Sequence, residues 1–150
     1  MKNKELVLET LKRSGRLAAE NVQMCAADMT GTELNNETDY IPDFRAACGV
    51  MNMMNRKIGF VCKSSAGRVV KLLQSYDSSV FTQDPEDLPA QWGFVWSNDP
   101  RHALPFVAIS TSPYRTGNVC EENGVVYRSK MDNNIHAPSQ YPAGWETASE

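Results

Sequence analysis

The N-terminal part of the chain carries a seven-residue apolar repeat that predicts a helix over residues 4–29. Charged residues surround the repeat, as they do in short coiled coils. The pattern fits either a helix packed on its own domain or a short oligomerising helix. The two apolar seams are formed by Leu8, Leu11, Gly15, Ala18, Val22, Cys25 and Met29.

The pattern of polar and apolar residues along the chain changes after this helix. Turn formers dominate residues 30–43, which we expect to be a loop, and residues 44–54 are ambiguous between element types. From residue 57 onward, short β-prone runs alternate with Gly, Pro, Asn and Ser, which is typical of small antiparallel sheets. The runs cover residues 58–62, 69–73, 93–96, 106–109, 118–120 and 125–129.

Two stretches, residues 56–96 and 111–147, share four sequence elements in the same order. Each begins with G-x-V-C and continues with a turn glycine before a β-prone strand. An Asp followed by two small polar residues comes next, and a P-x-x-[L/Y]-P-A-x-W segment of identical spacing ends each copy. The copies therefore predict two equivalent modules, each closed by a large buried aromatic. The predicted repeat core consists of Trp92, Trp145, Cys62 and Cys120.

These patterns predict an α+β fold, with an N-terminal helix followed by two small, mainly antiparallel β modules in tandem. Pro100 and Pro105 indicate that the joint between the modules is stiff. The expected organisation is a helix and loop over 1–55, a first module over 56–96, a stiff linker over 97–110 and a second module over 111–150.

Composition and charge narrow the classes of function. The chain has 150 residues and a formal net charge of −3, and its Lys and Arg residues form no run that would track a nucleic acid. Its apolar runs are too short to cross a bilayer, and its first residues do not resemble a signal peptide. We therefore expect a protein made in a cytosol, with no nucleic-acid partner and no membrane insertion.

Residues capable of chemistry form no catalytic or metal-binding motif. Neither His102 nor His136 has a neighbouring nucleophile and an orienting partner. A nucleophile elbow, a phosphate-binding glycine loop and metal-ligand spacing are all missing from the sequence. We therefore expect a protein that is not an enzyme and that uses no metal and no cofactor. Four cysteines without a C-x-x-C pair are expected to be buried free thiols: Cys25, Cys48, Cys62 and Cys120.

The second copy contains four short motifs: S-P-Y-R-T-G-N-V from Ser112, N-G-V-V-Y-R-S from Asn123, D-N-N-I-H-A-P from Asp132 and Y-P-A-G-W-E from Tyr141. With these motifs it resembles the chitin-binding type-3 fold, especially the version carried by virion proteins of bacteriophages. The family pattern is roughly P-Y-x-x-G-D-x-V, N-G-x-x-Y-x-S, D-N-N-x-W-x-P and Y-P-x-G-W. The first copy is similar to the sister repeat of the same phage proteins.

The chain departs from this family pattern where the family contacts sugar. His136 stands in place of the family's Trp, the corresponding residue of the first copy is Gln83 with Phe81 nearby, and Asn118 replaces an Asp. Flat aromatic rings stack on the C–H faces of sugar rings, so the resemblance implies a retained fold with a degraded sugar platform. The remaining glycan-contact candidates are Tyr114, Tyr127, His136, Tyr141 and Trp145.

These candidates differ in their expected burial. Strand alternation could point Tyr127 inward. Tyr141 matches Leu88 of the first copy, which favours a core contact, and Trp145 is expected to be buried. Tyr114 beside His136 is then the expected exposed surface.

The resemblance implies three classes of function. The first is a virion structural or accessory protein, on a tail fibre, baseplate or head fibre, that presents carbohydrate-binding-like modules to attach virion parts. The second is an adhesin that binds a glycan of the host surface, and the third is an accessory module of a chitinase or lysin. The degraded platform favours the first class, with other virion proteins as partners, the virion as location and a homotrimer or homodimer as the assembled state.

Overall fold

The structure is a computed structural model that describes residues 15–148. Within this range the helices are α1 over residues 15–25, α2 over Gly31–Asn35 and α3 over Phe44–Val50. The strands are β1 (Val61–Lys63), β2 (Val69–Leu72), β3 (Trp92–Phe94), β4 (Val119–Glu122), β5 (Val125–Ser129) and β6 (Trp145–Thr147). Single 3-10 turns occur at Ala26–Asp28, Thr38–Tyr40, Met53–Asn55, Pro85–Asp87, Pro100–His102 and Pro142–Gly144.

The strands form two separate three-stranded antiparallel sheets, in the orders β1-β2-β3 and β4-β5-β6. The predicted α+β class, with an N-terminal helix and two small antiparallel sheets in tandem, is confirmed. Each sheet is a hairpin followed by a third strand that pairs with the second strand of the hairpin.

Helix α1 packs on the first sheet through a face that includes Val22 of the predicted seam but not Cys25. Val22 and Ala26 are buried beside Val61 and Val69. Cys25 is exposed, so its predicted place among buried thiols is wrong. The buried positions follow the four-residue step from Val22 to Ala26, and the three-residue step to Cys25 leads to solvent. Residues 4–14, with Leu8 and Leu11 of the seam, lie outside the described residues.

The prediction of a loop over residues 30–43 is wrong in part, because α2 lies there. Thr30 starts the helix with a capping box, in which its Oγ1 accepts the Glu33 N–H at 3.1 Å and Glu33 Oε1 accepts the Thr30 N–H at 3.1 Å. Leu34 and Ile41 from this segment are buried against α1 and the first sheet. The sequence holds the capping signal, T-x-x-E, but the helix is too short to show an apolar period.

The ambiguous residues 44–54 form α3 and a 3-10 turn that close the other side of the first sheet. Phe44, Ala47 and Met53 are buried in one cluster with Trp92. The Phe44 ring meets the Trp92 ring edge-on, with centroids 5.8 Å apart. Met53 therefore fills the core, as flexible methionines often do.

The two sheets share one register. Cys62 pairs with Val70 and Cys120 with Tyr127, and the third strands place Trp92 beside Leu72 and Trp145 beside Ser129. The side chains of both tryptophans and both cysteines are buried, with relative exposures of 0% for Trp92 and 5% for Trp145. The predicted equivalence of Trp92 and Trp145 in pairing and burial is confirmed.

The glycines of the repeat have matching left-handed backbones. Gly59 and Gly117 both have a φ of 96°, and their N–H groups donate to the equivalent carbonyls of Leu72 and Ser129 at 2.8 and 2.9 Å. The hairpin glycines Gly67 and Gly124 have φ values of 82° and 80°. Left-handed backbone favours glycine, so these positions explain why the repeat keeps glycine there.

In both sheets, a segment from outside the sheet forms hydrogen bonds along the outer edge of the first strand. The Gln23 side-chain amide bonds both the N–H and the C=O of Val61, and the Lys63 N–H donates to Pro42 O at 2.8 Å. In the second sheet the Glu121 N–H donates to Leu104 O at 2.9 Å. Covered edges keep a sheet from pairing with other chains. The segment predicted as a linker, 97–110, is thus the edge cover of the second sheet, and its predicted run 106–109 forms no strand.

Candidate functional site

The five glycan-contact candidates divide into buried and exposed side chains. Tyr114 is 1% exposed, so the expectation that it forms the exposed surface is wrong. Its ring stacks on Trp96 with centroids 4.1 Å apart and on Phe106 at 5.4 Å, while Trp145 meets it edge-on at 5.3 Å. A cluster of four aromatic rings replaces an aliphatic core in this small module, and Tyr114 is its centre.

Trp145 is the anchor of the candidate loop rather than a ligand platform. Its indole N–H donates to the His136 carbonyl oxygen at 2.8 Å. Buried tryptophans need such a partner for the indole N–H. The bond fixes the backbone at His136 and leaves the imidazole outside.

His136 and Tyr141 form the exposed aromatic pair of the second module. Their ring centroids are 6.0 Å apart with planes tilted by 41°. Tyr141 is 40% exposed, so the expectation of a core contact at this position is wrong. Leu88, its counterpart, packs against the core of the first sheet. The hydroxyl end of a tyrosine tolerates water, and Tyr141 lies beside His136 at the surface rather than in a core.

Tyr127 occupies an intermediate position. It lies on β5, pairs with Cys120 and Thr147, and packs partly buried against the Tyr114 and Trp145 cluster. Alternation along the strand turns it inward, as the sequence allowed. Tyr127 therefore supports the core and offers little ring surface to a ligand.

Polar side chains hold the loop that carries His136. Asn134 is fully buried, and its amide donates to Ser129 Oγ at 3.0 Å and to Gly144 O at 3.1 Å. Asp132 accepts the Thr116 N–H at 3.0 Å, and this hydrogen bond lowers the pKa of the carboxyl group. The D-N-N motif is therefore a loop-building element, since buried polar groups persist only where they are bonded.

The first module carries a different exposed surface at the corresponding loop. Gln83 is exposed, as are Phe81 at 52% and Val80 at 67%. Asp77 builds this loop by accepting the Ser79 N–H at 3.0 Å and the Asn52 side-chain amide at 2.9 Å. Both modules therefore use an Asp to shape the loop, as the repeat predicts.

The buried cysteines are unreactive by environment. Burial raises the pKa of the Cys120 thiol to about 12 and raises the pKa of the Cys62 thiol as well. Burial also raises the pKa of the Tyr76 hydroxyl to about 12, although that hydroxyl accepts the Trp92 indole N–H at 3.0 Å. The thiolate is the nucleophilic form, so these thiols serve packing.

Sequence reasoning missed the aromatic side chains that join the modules. The sequence predicts strands that contain Trp96 and Phe106, yet the rings of both residues pack on Tyr114. The Trp96 indole N–H donates to Ser112 O at 3.0 Å, across the joint. The signal that could have found Trp96 is that the second copy has no tryptophan at the matching place.

Comparison with family models, with curated proteins and with solved structures finds no match to this chain. Within residues 15–148, no helix is long and apolar enough to cross a membrane. Among those same residues, His, Cys, Asp and Glu side chains nowhere gather in a group of three or more suited to a metal ion.

Proposed function

We propose that this protein is a structural or accessory component of a bacteriophage virion, in which its carbohydrate-binding-like modules attach virion parts. The proposal rests on where the structure places the candidate glycan-contact residues. Tyr114 and Trp145 are buried, and the family's stacking Trp is replaced by His136. The fold elements of a sugar-binding module are retained while its stacking surface is reduced.

The way the modules are joined supports the same proposal. The Arg68 guanidinium bonds Glu86 at 2.6 Å within the first module and also bonds the Pro105 carbonyl oxygen at the joint. Trp96 stacks on Tyr114 across the same joint. Two modules fixed to each other suit a rigid attachment part better than independently swinging ligand-binding heads.

Host-glycan contact is the second candidate function, and the pair of His136 and Tyr141 favours it. These rings lie side by side in solvent, next to Ile135 at 36% exposure. One histidine and one tilted tyrosine offer a small stacking surface, which supports weak contact. We propose this function as an addition to the structural role.

A mass-spectrometric inventory of purified phage particles tests the structural role. The bacterial strain that produces this protein is the source, and particles are purified by density gradient before digestion. We expect the protein to remain with the particles after a high-salt wash, in a copy number that is a multiple of two or three. Its absence from particles, while it is abundant in the lysate, would contradict the proposal.

A further inference from the structure

A cleft between the two modules has the chemistry of a binding site that lies apart from the His136 loop. Its volume is about 380 Å³, within the range of small-ligand sites, roughly 300–1,000 Å³. Lys71 on β2 contributes to one side, and Arg115 before β4 contributes to the other. Trp96, from the joint, lines the cleft between them.

The floor of the cleft is the part of the first sheet that α1 leaves open. Val69 on this face is covered by the helix, whereas Lys71 and its cross-strand neighbour Gly93 lie further along the same face. Gly93 has no side chain, and a Cβ placed there would meet Leu73 Cδ2 at 3.2 Å. The glycine therefore leaves a flat floor beside the hydrocarbon of Leu73.

Charge gives the cleft its selectivity. Among residues 15–148, Lys71 and Arg115 line it and no carboxylate does, although the chain as a whole has a net charge of −3. Neither cation takes part in an ion pair among the described residues. Arg115 acts electrostatically on Asp132, whose carboxylate accepts the Thr116 N–H and whose pKa is lowered mainly by Thr116 and in part by Arg115. The two cations are therefore available to an anion.

The rest of the lining suits a sugar. Thr111 presents a hydroxyl group, and Leu73, Pro113 and Trp96 present C–H and ring surfaces. The Asn118 amide also lines the cleft, with its oxygen accepting the Arg115 N–H and its NH₂ group donating to Asn98. Polar groups beside apolar surface match a pyranose, which has hydroxyl groups at its edge and C–H bonds on its faces. Arginine and lysine bind carboxylate and phosphate through charge-assisted hydrogen bonds.

We propose that this cleft binds an anionic saccharide, with the carboxylate or phosphate of the sugar held between Lys71 and Arg115. The inference goes beyond the proposed virion role. A failure to bind acidic sugar would leave the presence of the protein in particles untouched, and the two tests can fail separately.

The test is a titration of the full chain with glucuronate, N-acetylneuraminate and glucose 6-phosphate, with glucose as the uncharged control. Isothermal calorimetry and the intrinsic fluorescence of the three tryptophans, of which Trp96 lines the cleft, are the readouts. We expect binding of at least one acidic sugar with a Kd of about 1 mM or tighter, and no binding of glucose. Carboxylate sugars and the phosphate sugar distinguish the two anions, and added salt should weaken binding because the cleft is open to solvent.

Variants of the two cations make the test specific to the cleft. Lys71→Gln and Arg115→Gln should each weaken acidic-sugar binding at least about fivefold. Lys130→Gln, an exposed lysine outside the cleft, is the matched control and should leave binding unchanged. Gly93→Val keeps the charges but fills the floor, and it should also weaken binding. Thermal unfolding of each variant shows that the fold is retained.

Three outcomes would overturn the proposal. The first is that no acidic sugar binds at tens of millimolar. The second is that acetate or inorganic phosphate binds as tightly as the acidic sugars, which would mean that the sugar is not recognised. The third is that a polyglutamate peptide binds more tightly than every sugar, which would assign the cleft to a protein partner.

Discussion

The two sheets have the same strand pairing but differ in what covers them. In the first sheet, α3 covers the face of Trp92, and α1 and α2 cover the other face at Val61 and Val69 while its Lys71 end stays open. The second sheet has one face buried around Tyr114 and Trp145, and on its other face Val119 is buried whereas Val126 is only half-buried. A repeated sequence therefore specifies the hairpin and its third strand, while the segments outside the repeat decide how much of each sheet is buried.

The outer face of the second sheet shows the consequence in its residue types. Positions equivalent to Lys71 and Gly93 are Arg128 and Glu146, which pair directly across the strands. Val126, the counterpart of the fully buried Val69, is only half-buried. Opposite charges facing each other suit an open antiparallel face. Within residues 15–148 no helix covers this face of the second sheet, and its charged pair lies at the place that corresponds to the open Lys71 end of the first sheet.

The largest effect is expected from the closing tryptophans. Trp92→Ala should destabilise the full chain by about 3–5 kcal/mol, because it leaves a cavity among Phe44, Tyr76 and the sheet. Trp145→Ala should cost about 3 kcal/mol, at the low end of that range, because its module is open on one side. Urea unfolding measures both. Phe81→Ala, at 52% exposure, is the control and should cost less than about 0.5 kcal/mol.

Equal costs for Trp145→Ala and Phe81→Ala would mean that Trp145 does not close a core. In that case the equivalence of the two modules would hold for strand pairing alone.

The joint between the modules is expected to depend on Arg68. The Arg68→Ala variant leaves the partly buried Glu86 without its cation, and its expected cost is about 2–3 kcal/mol. Arg101→Ala removes an exposed partner of Asp99 and should cost less than about 1 kcal/mol. Urea unfolding compares the two variants.

A double variant separates the charge from the packing at the joint. Arg68→Met combined with Glu86→Gln removes both charges, so it should cost less than Arg68→Ala alone. If the two variants are equally unstable, the loss comes from the contact with Pro105 O, which both variants lack, and not from the unpaired charge of Glu86.

The covering of the two sheets can be compared directly at one equivalent position. Val69→Ala should cost about 2 kcal/mol, because the side chain is fully buried under α1. Val126→Ala should cost about 0.5 kcal/mol, since its face is open. Chemical denaturation of the two variants gives the comparison. Similar costs would show that another part of the chain covers the second sheet.

The smallest effect concerns the thiols. Burial raises the pKa of Cys120 to about 12 from an ordinary value near 9, so the unfolded chain loses this proton first as the pH rises. The contribution of the buried Cys120 thiol to the unfolding free energy is fully present below pH 9 and declines above pH 9. The unfolding free energy, measured from pH 8 to pH 11, should fall less steeply in Cys120→Ala than in the unaltered chain. An unchanged slope would contradict the burial of this thiol.

The sequence predicted the repeated part of the fold well, because its signals are local. Turn glycines, the G-x-V-C element and the spacing before Trp92 and Trp145 all concern residues close together along the chain. The helix cover, α2 and the edge contacts of residues 97–110 were missed or misread. They depend on which distant surface a short segment meets, and no short apolar period records that.

The candidate site was predicted less well for a related reason. The sequence identifies Tyr114 and Tyr141 as aromatic candidates, but tertiary packing decides which of the two side chains is buried. The rings of Trp96 and Phe106 from the joint cover Tyr114, and nothing comparable covers Tyr141. The residues of the inter-module cleft lie far apart in sequence, so no motif could join Lys71 to Arg115.

We propose that the second module is a carbohydrate-binding-like module with a reduced sugar platform. Titration of the full chain with chitin oligosaccharides tests it most directly, beside the variant His136→Trp and the matched control His102→Trp. We predict a Kd of about 1 mM or weaker for the unaltered chain, and a several-fold tighter Kd for His136→Trp alone. Micromolar binding by the unaltered chain would contradict this account and would identify the protein as an adhesin.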